Sequence, residues 1–180
     1  RNLIDAGVVN EVPIDNDYDI RVFDSPEELQ SAIMEKNDNQ SFGISRLTAT
    51  YDWEYSSQSK PKDSDYWCVR IGDWSCPWNR QLAKEKESKH LSWIEQSQTI
   101  HEIGSTFTVQ GFDLNYVGDI IGPSVKYRDG KIIFDISESK NKSAVQNRKL
   151  ESGEMINYGE TLLRNELNVL LTRGVNGLYV

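Results

Sequence analysis

Apolar and polar residues alternate along Asp19-Ile20-Arg21-Val22-Phe23, the two-residue period of a half-buried strand. Ser25-Pro26-Glu27-Glu28 follows as a helix start, with Ser25 as N-cap, Pro26 at the first helical position and Glu28 placed to close a capping box. Leu29, Ala32, Ile33 and Met34 make the buried stripe of that helix, which fades at Asn37-Asp38-Asn39. Strand followed by helix predicts an α/β unit. Residues 1–18, with scattered apolar positions and Pro13, show no period and read as an irregular lead-in.

Phe42 to Ala49 reads as a second strand, with Phe42, Ile44 and Leu47 turned inward and Arg46 near its end. Tyr51 to Asp65 is polar and predicts a mobile insertion, after which Tyr66 to Ile71 resumes a strand pattern. Five tryptophans, Trp53, Trp67, Trp74, Trp78 and Trp93, fall in this region, which extends to about residue 95. They either fill a small β-rich insertion or offer stacking faces to bases. Leu82 to His90 is a charged run, read as a solvated helix or loop.

Further on, the glycine-containing turn Gln110-Gly111-Phe112-Asp113 carries an amide and a carboxylate, and the apolar run Tyr116 to Ile121 follows it like a buried strand. Asp129-Gly130, between Lys126-Tyr127-Arg128 and Lys131-Ile132-Ile133-Phe134, predicts a tight hairpin turn. Asp135 then sits on a hairpin with no phosphate loop, which argues against a Mg²⁺-binding role. Ser137 to Asn157 reads as loop with some helix. Leu162, Leu163, Leu167, Leu170 and Leu171 are spaced as one face of a helix over Thr161–Leu171, with Gly174 as its C-terminal cap and Leu178-Tyr179-Val180 as a returning strand. Arg173 then projects from a helix end beside the sheet.

At 180 residues the chain is long enough for one domain with a sizeable core. Hydrophobic residues at 37% and charged residues at 27% exclude full disorder, and a mean hydropathy of -0.61 signals extensive polar loops. A net charge of -8 removes any overall basic footprint for nucleic acid or an anionic membrane. Cys68, Cys76, His90 and His101 make a poor zinc set, so the thiols read as reduced and structural, the setting as cytoplasmic, and no metal or membrane partner is expected. The chain opens on Arg1 rather than Met and closes on an apolar run, as a piece of a longer polypeptide would.

No Walker phosphate loop, G-x-G-x-x-G, G-x-S-x-G or H-E-x-x-H motif is present, so nucleotide binding by this chain alone is not expected. Two edges remain, the Gln110–Asp113 turn and the Thr172-Arg173 helix end. Phe107-Thr108-Val109-Gln110-Gly111-Phe112-Asp113 with the strand after it resembles motif V of superfamily 1 helicases, and Leu167 to Gly174 resembles their motif VI. A closer resemblance is to a bacterial family of helicase-like ATPases related to the helicase part of Schlafen proteins; it rests also on Arg46-Leu47, Trp78-Asn79 and Gly122-Pro123.

That resemblance runs from about Asp19 to the end and implies an α/β, RecA-like three-layer domain over residues 19–180, with a mainly parallel sheet and an aromatic-rich insertion near 51–95. It implies the second RecA-like domain of an ATP-dependent DNA or RNA helicase, whose first domain carries the phosphate loop and the Mg²⁺-binding carboxylate. Arg173 corresponds to the arginine finger; Gln110, Gly111, Asp113 and, on a looser match, Arg46 to nucleotide contacts; Thr106 and Thr108 to contacts with single-stranded DNA or RNA. ATP and Mg²⁺ are implied for the full-length protein and none for this piece, whose partner is the N-terminal RecA-like domain of the same chain. The alternative is a nucleotide-regulated scaffold or nucleic-acid-binding module that kept the fold without motor activity.

Overall fold

Ser25 accepts a hydrogen bond from the Glu28 N–H at 3.2 Å in the computed structural model of the chain, which describes residues 17–39, 43–83, 86–88 and 90–180. That cap starts helix α1, Pro26–Asp38, directly after strand β1, Asp19–Arg21. Pro26 fills the first turn, where its missing N–H leaves no helical bond unmade. Of the anticipated stripe, Leu29 and Ile33 are buried. The lead-in up to residue 16, and Phe42 of the second strand, lie outside the described residues.

Strand β2 spans Ser45–Ala49, β5 Leu114–Ile120 and β10 Gly174–Tyr179; together with β1 they form a four-stranded sheet in the order β1-β10-β5-β2, every pair parallel. The sheet is thus the expected α/β type. Helix α1 covers one face, meeting Leu47, Tyr116, Ile120 and Tyr179. Gly118 lets it approach: a Cβ there would stand 2.7 Å from Ile33 Cγ1 and from Leu47 Cδ2. Helix α4, Gly159–Leu171, lies on the other face, where Leu170 packs with Val109, Leu114, Val117 and Trp93. Helix, sheet and helix make the three layers.

The outer edge of β2 is sealed by the chain at Gly104, which accepts from Ala49 N–H at 2.9 Å and donates to the Leu47 carbonyl at 2.8 Å. Two short 3-10 turns, Trp93–Glu95 and Ser97–His101, lead into that segment. No helix forms among the described residues of the charged run before them.

In the insertion, β3 (Cys68–Ile71) and β4 (Trp74–Pro77) form an antiparallel hairpin around Gly72, whose φ of +56° suits a tight turn. Cys68 pairs with Pro77 and Val69 with Cys76, so the two thiols point to opposite faces and cannot be bridged in this register. Trp78 is the pivot: wholly buried, it is ringed by Tyr51 at 4.8 Å, Tyr55 at 6.3 Å and Trp53 at 6.4 Å between ring centroids. Trp78 and Trp93 are core residues; Trp53, Trp67 and Trp74 are half-buried.

Strands β6 (Val125–Arg128) and β7 (Lys131–Phe134) form the expected hairpin, with φ of 49° at Asp129 and 77° at Gly130. Its Phe134 packs on Leu163 and Leu167 of α4. Asp135 bonds Lys126 Nζ at 2.6 Å and Ser137, and the Lys126 bond holds its carboxyl down at about 2. The polar stretch after it contains α3, Lys142–Val145, and a two-stranded ladder, β8 (Arg148–Lys149) with β9 (Met155–Ile156).

Gly174 departs from expectation. It is the first residue of β10, not a left-handed helix cap: α4 ends at Leu171, and its C-cap residue is Thr172, whose φ is -106°. Its own need is space, because a Cβ would collide with the Gly177 carbonyl oxygen across a bulge in β10.

Candidate functional site

Both motif stretches arrive at the amino-terminal ends of adjacent parallel strands, β5 and β10. Helix α2, Thr106–Val109, precedes β5 and is held by reciprocal bonds: Ser105 N–H donates to Thr108 Oγ1, and the Thr108 hydroxyl donates to the Ser105 carbonyl, both at 2.8 Å. The Ser105 hydroxyl donates in turn to Asn79 Oδ1 at 2.6 Å. Asn79, buried and at φ 65°, anchors the motif helix to the insertion. Asparagine tolerates this left-handed conformation better than most residues.

After α2 the chain turns through Gln110 and Gly111, the latter at φ +84°, where glycine is unstrained. Gln110 is exposed. Asp113 follows with its side chain 68% exposed, and Leu114 N–H bonds the Arg173 carbonyl at 2.8 Å, fixing the two motif segments side by side.

Arg173 leaves α4 just beyond Thr172, whose hydroxyl back-bonds to the Asn168 carbonyl at 2.7 Å. Its Nε donates to the Val169 carbonyl at 3.0 Å and its Nη1 to the Phe112 carbonyl at 3.3 Å, with Asp113 Oδ1 3.5 Å away. Nη2 makes no bond within the described residues. The guanidinium is therefore steered by two carbonyls and one carboxylate while one edge of its donor fork stays open. A planar cation so held can offer two parallel N–H groups to an anionic oxygen pair.

The structure brings Arg173, Gly111, Asp113 and Gln110 to this one edge. It places Arg46 elsewhere. Arg46 is buried within β2, and its five N–H donors go to Thr99 Oγ1, Asn37 Oδ1 and the carbonyls of Ser45, Ile94 and Gln96. Burial lowers its pKa to about 10, still charged at neutral pH. With all five donors engaged, nothing remains for a nucleotide.

Thr106 and Thr108 also turn inward. Thr108 serves the helix cap, and Thr106 sits beside the carboxyl of Glu166 on α4, together with Asn141 and the Tyr51 backbone. Burial pushes Glu166 up to about 7, with nearby Asp52 adding to the rise. Asp119 on β5, bonded by the Thr48 hydroxyl, is likewise raised to about 7 by burial. Among the described residues no group of three or more His, Cys, Asp or Glu is arranged to hold a metal ion, and no helix is long and apolar enough to cross a membrane.

The fold is thus a parallel α/β domain that gathers an arginine, a carboxylate and a glycine turn at the amino-terminal ends of two adjacent strands. The model of the Schlafen group 3 DNA/RNA helicase domain matches residues 1–180, and the chain belongs to that family. It is 34% identical over 165 residues to an uncharacterized protein of Saccharomyces cerevisiae, covering 91% of this chain and 34% of that one. The chain thus spans about a third of the length of that relative, and the resemblance is not confined to bacteria. No solved structure matches it significantly.

Proposed function

We propose that this domain is the C-terminal RecA-like unit of an ATP-dependent helicase or translocase, and that Arg173 is its arginine finger. The observation that carries the reading is the open Nη2 edge of a guanidinium whose Nε and Nη1 are held by the carbonyls of Val169 and Phe112 at the amino edge of the sheet. ATP with Mg²⁺, bound by a preceding RecA-like domain, supplies the phosphoryl group. In this reading Arg173 stabilises negative charge on that group, and the exposed Asp113 and Gln110 serve the same nucleotide, Asp113 by meeting a ribose hydroxyl. Thr108 acts by capping the motif helix.

In the full-length protein Arg173→Ala lowers ATP turnover by about 10³-fold or more while leaving ATP binding measurable. Near-wild-type turnover overturns the assignment. The net charge of -8 favours a second reading, a nucleotide-regulated scaffold without motor activity. Turnover unaffected by any single strand, with no strand displacement, selects that reading.

A further inference from the structure

A groove of about 650 Å³ opens on the outer face of the β3–β4 hairpin, a size suited to holding part of a small-molecule-sized ligand. Strand alternation explains its position: Val69 and Cys76 face the core, while Cys68 and Arg70 face outward. Its walls carry the rings of Trp53, Tyr66 and Trp67 and the cations of Lys62 and Arg70. None of these belongs to the motif edge.

Two observations define what the groove can take, and a third ties it to the motif helix. The indole N–H of Trp53 donates to the Arg70 carbonyl at 3.1 Å and that of Trp67 to the Ser59 carbonyl at 2.9 Å. With their polar atoms satisfied, the rings offer faces, not donors, which disfavours a peptide read through an indole N–H. Lys62 and Arg70 are exposed and form no ion pair among the described residues, so they can meet phosphates. Behind the groove, rings packed through the core tie it to the motif helix, from Trp53 to the buried Trp78 at 6.4 Å, Trp78 to Tyr51 at 4.8 Å and Tyr51 to Phe107 at 5.6 Å. Phe107, 57% exposed, stands three positions before Gln110.

We propose that this groove takes unstacked bases of a single nucleic-acid strand on the rings of Trp53, Tyr66 and Trp67. The inference rests on the helicase reading above and extends the strand's path onto the insertion. Every base has a π face, so the contact is indifferent to sequence. Glu54 and Asp63 also line the groove and offset its two cations, which makes stacking, not phosphate neutralisation, the leading contribution. Truncating a ring therefore weakens binding without changing its salt dependence, whereas each lysine or arginine contact to a phosphate contributes about 0.7 to the slope of log affinity against log salt.

The test is titration of labelled oligo-dT and oligo-U with the full-length protein, comparing wild type, Trp53→Ala/Trp67→Ala, Trp67→Ala and Trp67→Phe. The double variant should bind roughly tenfold to hundredfold more weakly, Trp67→Phe should retain most of the affinity, and ATP binding and the salt slope should not change. Trp67→Ala alone keeps the test open if the double variant loses its near-UV signature of folding. A folded variant that binds strands as tightly as wild type overturns the groove assignment and leaves the motor reading standing. Wild type that binds no strand overturns both. A proline-rich peptide held in the groove, with strand affinity unchanged in the variants, also overturns it.

Discussion

Asp113 stands 3.5 Å from the Nη1 of Arg173 with more than two-thirds of its side chain in solvent. An ion pair this exposed contributes at most about 1 kcal/mol to folding. Asp113→Ala should leave the thermal midpoint of the domain nearly unchanged. Under the proposed ATPase function it should raise the KM for ATP in the full-length protein, because the carboxylate proposed to meet the ribose and one restraint on the guanidinium are lost together. Steady-state ATPase kinetics beside a thermal melt check this, and a large fall in stability would contradict it.

Arg46 predicts the reverse pattern. Its guanidinium bridges α1 at Asn37 to the 3-10 segment at Ile94, Gln96 and Thr99. Arg46→Met should destabilise the domain by about 3 kcal/mol or more, since several buried polar groups lose their partner together. Arg46→Lys should rescue little, having three donors where five are engaged. The urea midpoint is the readout.

Glu166 and Asp119 make stability depend on pH in a defined direction. Their folded pKa values, about 7, lie above the ordinary 4.5 and 3.8, so the folded state keeps protons that the unfolded chain releases. Their contribution is complete below the unfolded values and is lost as pH rises through the folded ones, at up to roughly 1.4 kcal/mol per pH unit per group. Asp135 and Asp19 are lowered and act oppositely, adding stability above their unfolded values and losing it in acid. The domain should therefore melt higher near pH 5 than at pH 8. Glu166→Gln or Asp119→Asn should flatten that difference, and a steeper profile in either variant would refute the origin.

Gly118→Ala should cost about 1–3 kcal/mol, because the added methyl meets Ile33 and Leu47 with nowhere to go. An unchanged denaturant slope with a lowered midpoint would mark it as a packing effect.

Local chemistry made much of this architecture readable. Ser25 with Pro26, and Asp129 with Gly130, are short-range signals whose partners lie within a few residues, and the Ser25 cap and the hairpin turn both form, whereas no return bond from the Ser25 N–H to the Glu28 side chain closes the capping box among the described residues. The pairing of Arg173 with Asp113 joins residues 60 positions apart in sequence, and the motif resemblance named both without their contact. The engagement of Arg46 is not legible locally, because its partners at Ile94, Gln96 and Thr99 lie about 50 residues on, in and between 3-10 turns with no periodic signature. Thr108 was legible in principle: Ser105-x-x-Thr108 has the spacing of a capping box, with a hydroxyl in place of the usual carboxylate. A glycine after a helix usually serves the left-handed cap, whereas at Gly174 tight packing against Gly177 requires it.

The seal on β2 places a backbone clasp next to the motif helix. Gly104 exchanges hydrogen bonds with Ala49 and Leu47, and Ser105, the next residue, begins the cap of α2. Any swing of that helix pulls on the clasp first, so the Ala49 and Gly104 amides should exchange with solvent in step and form a paired reporter of motion at the sheet edge.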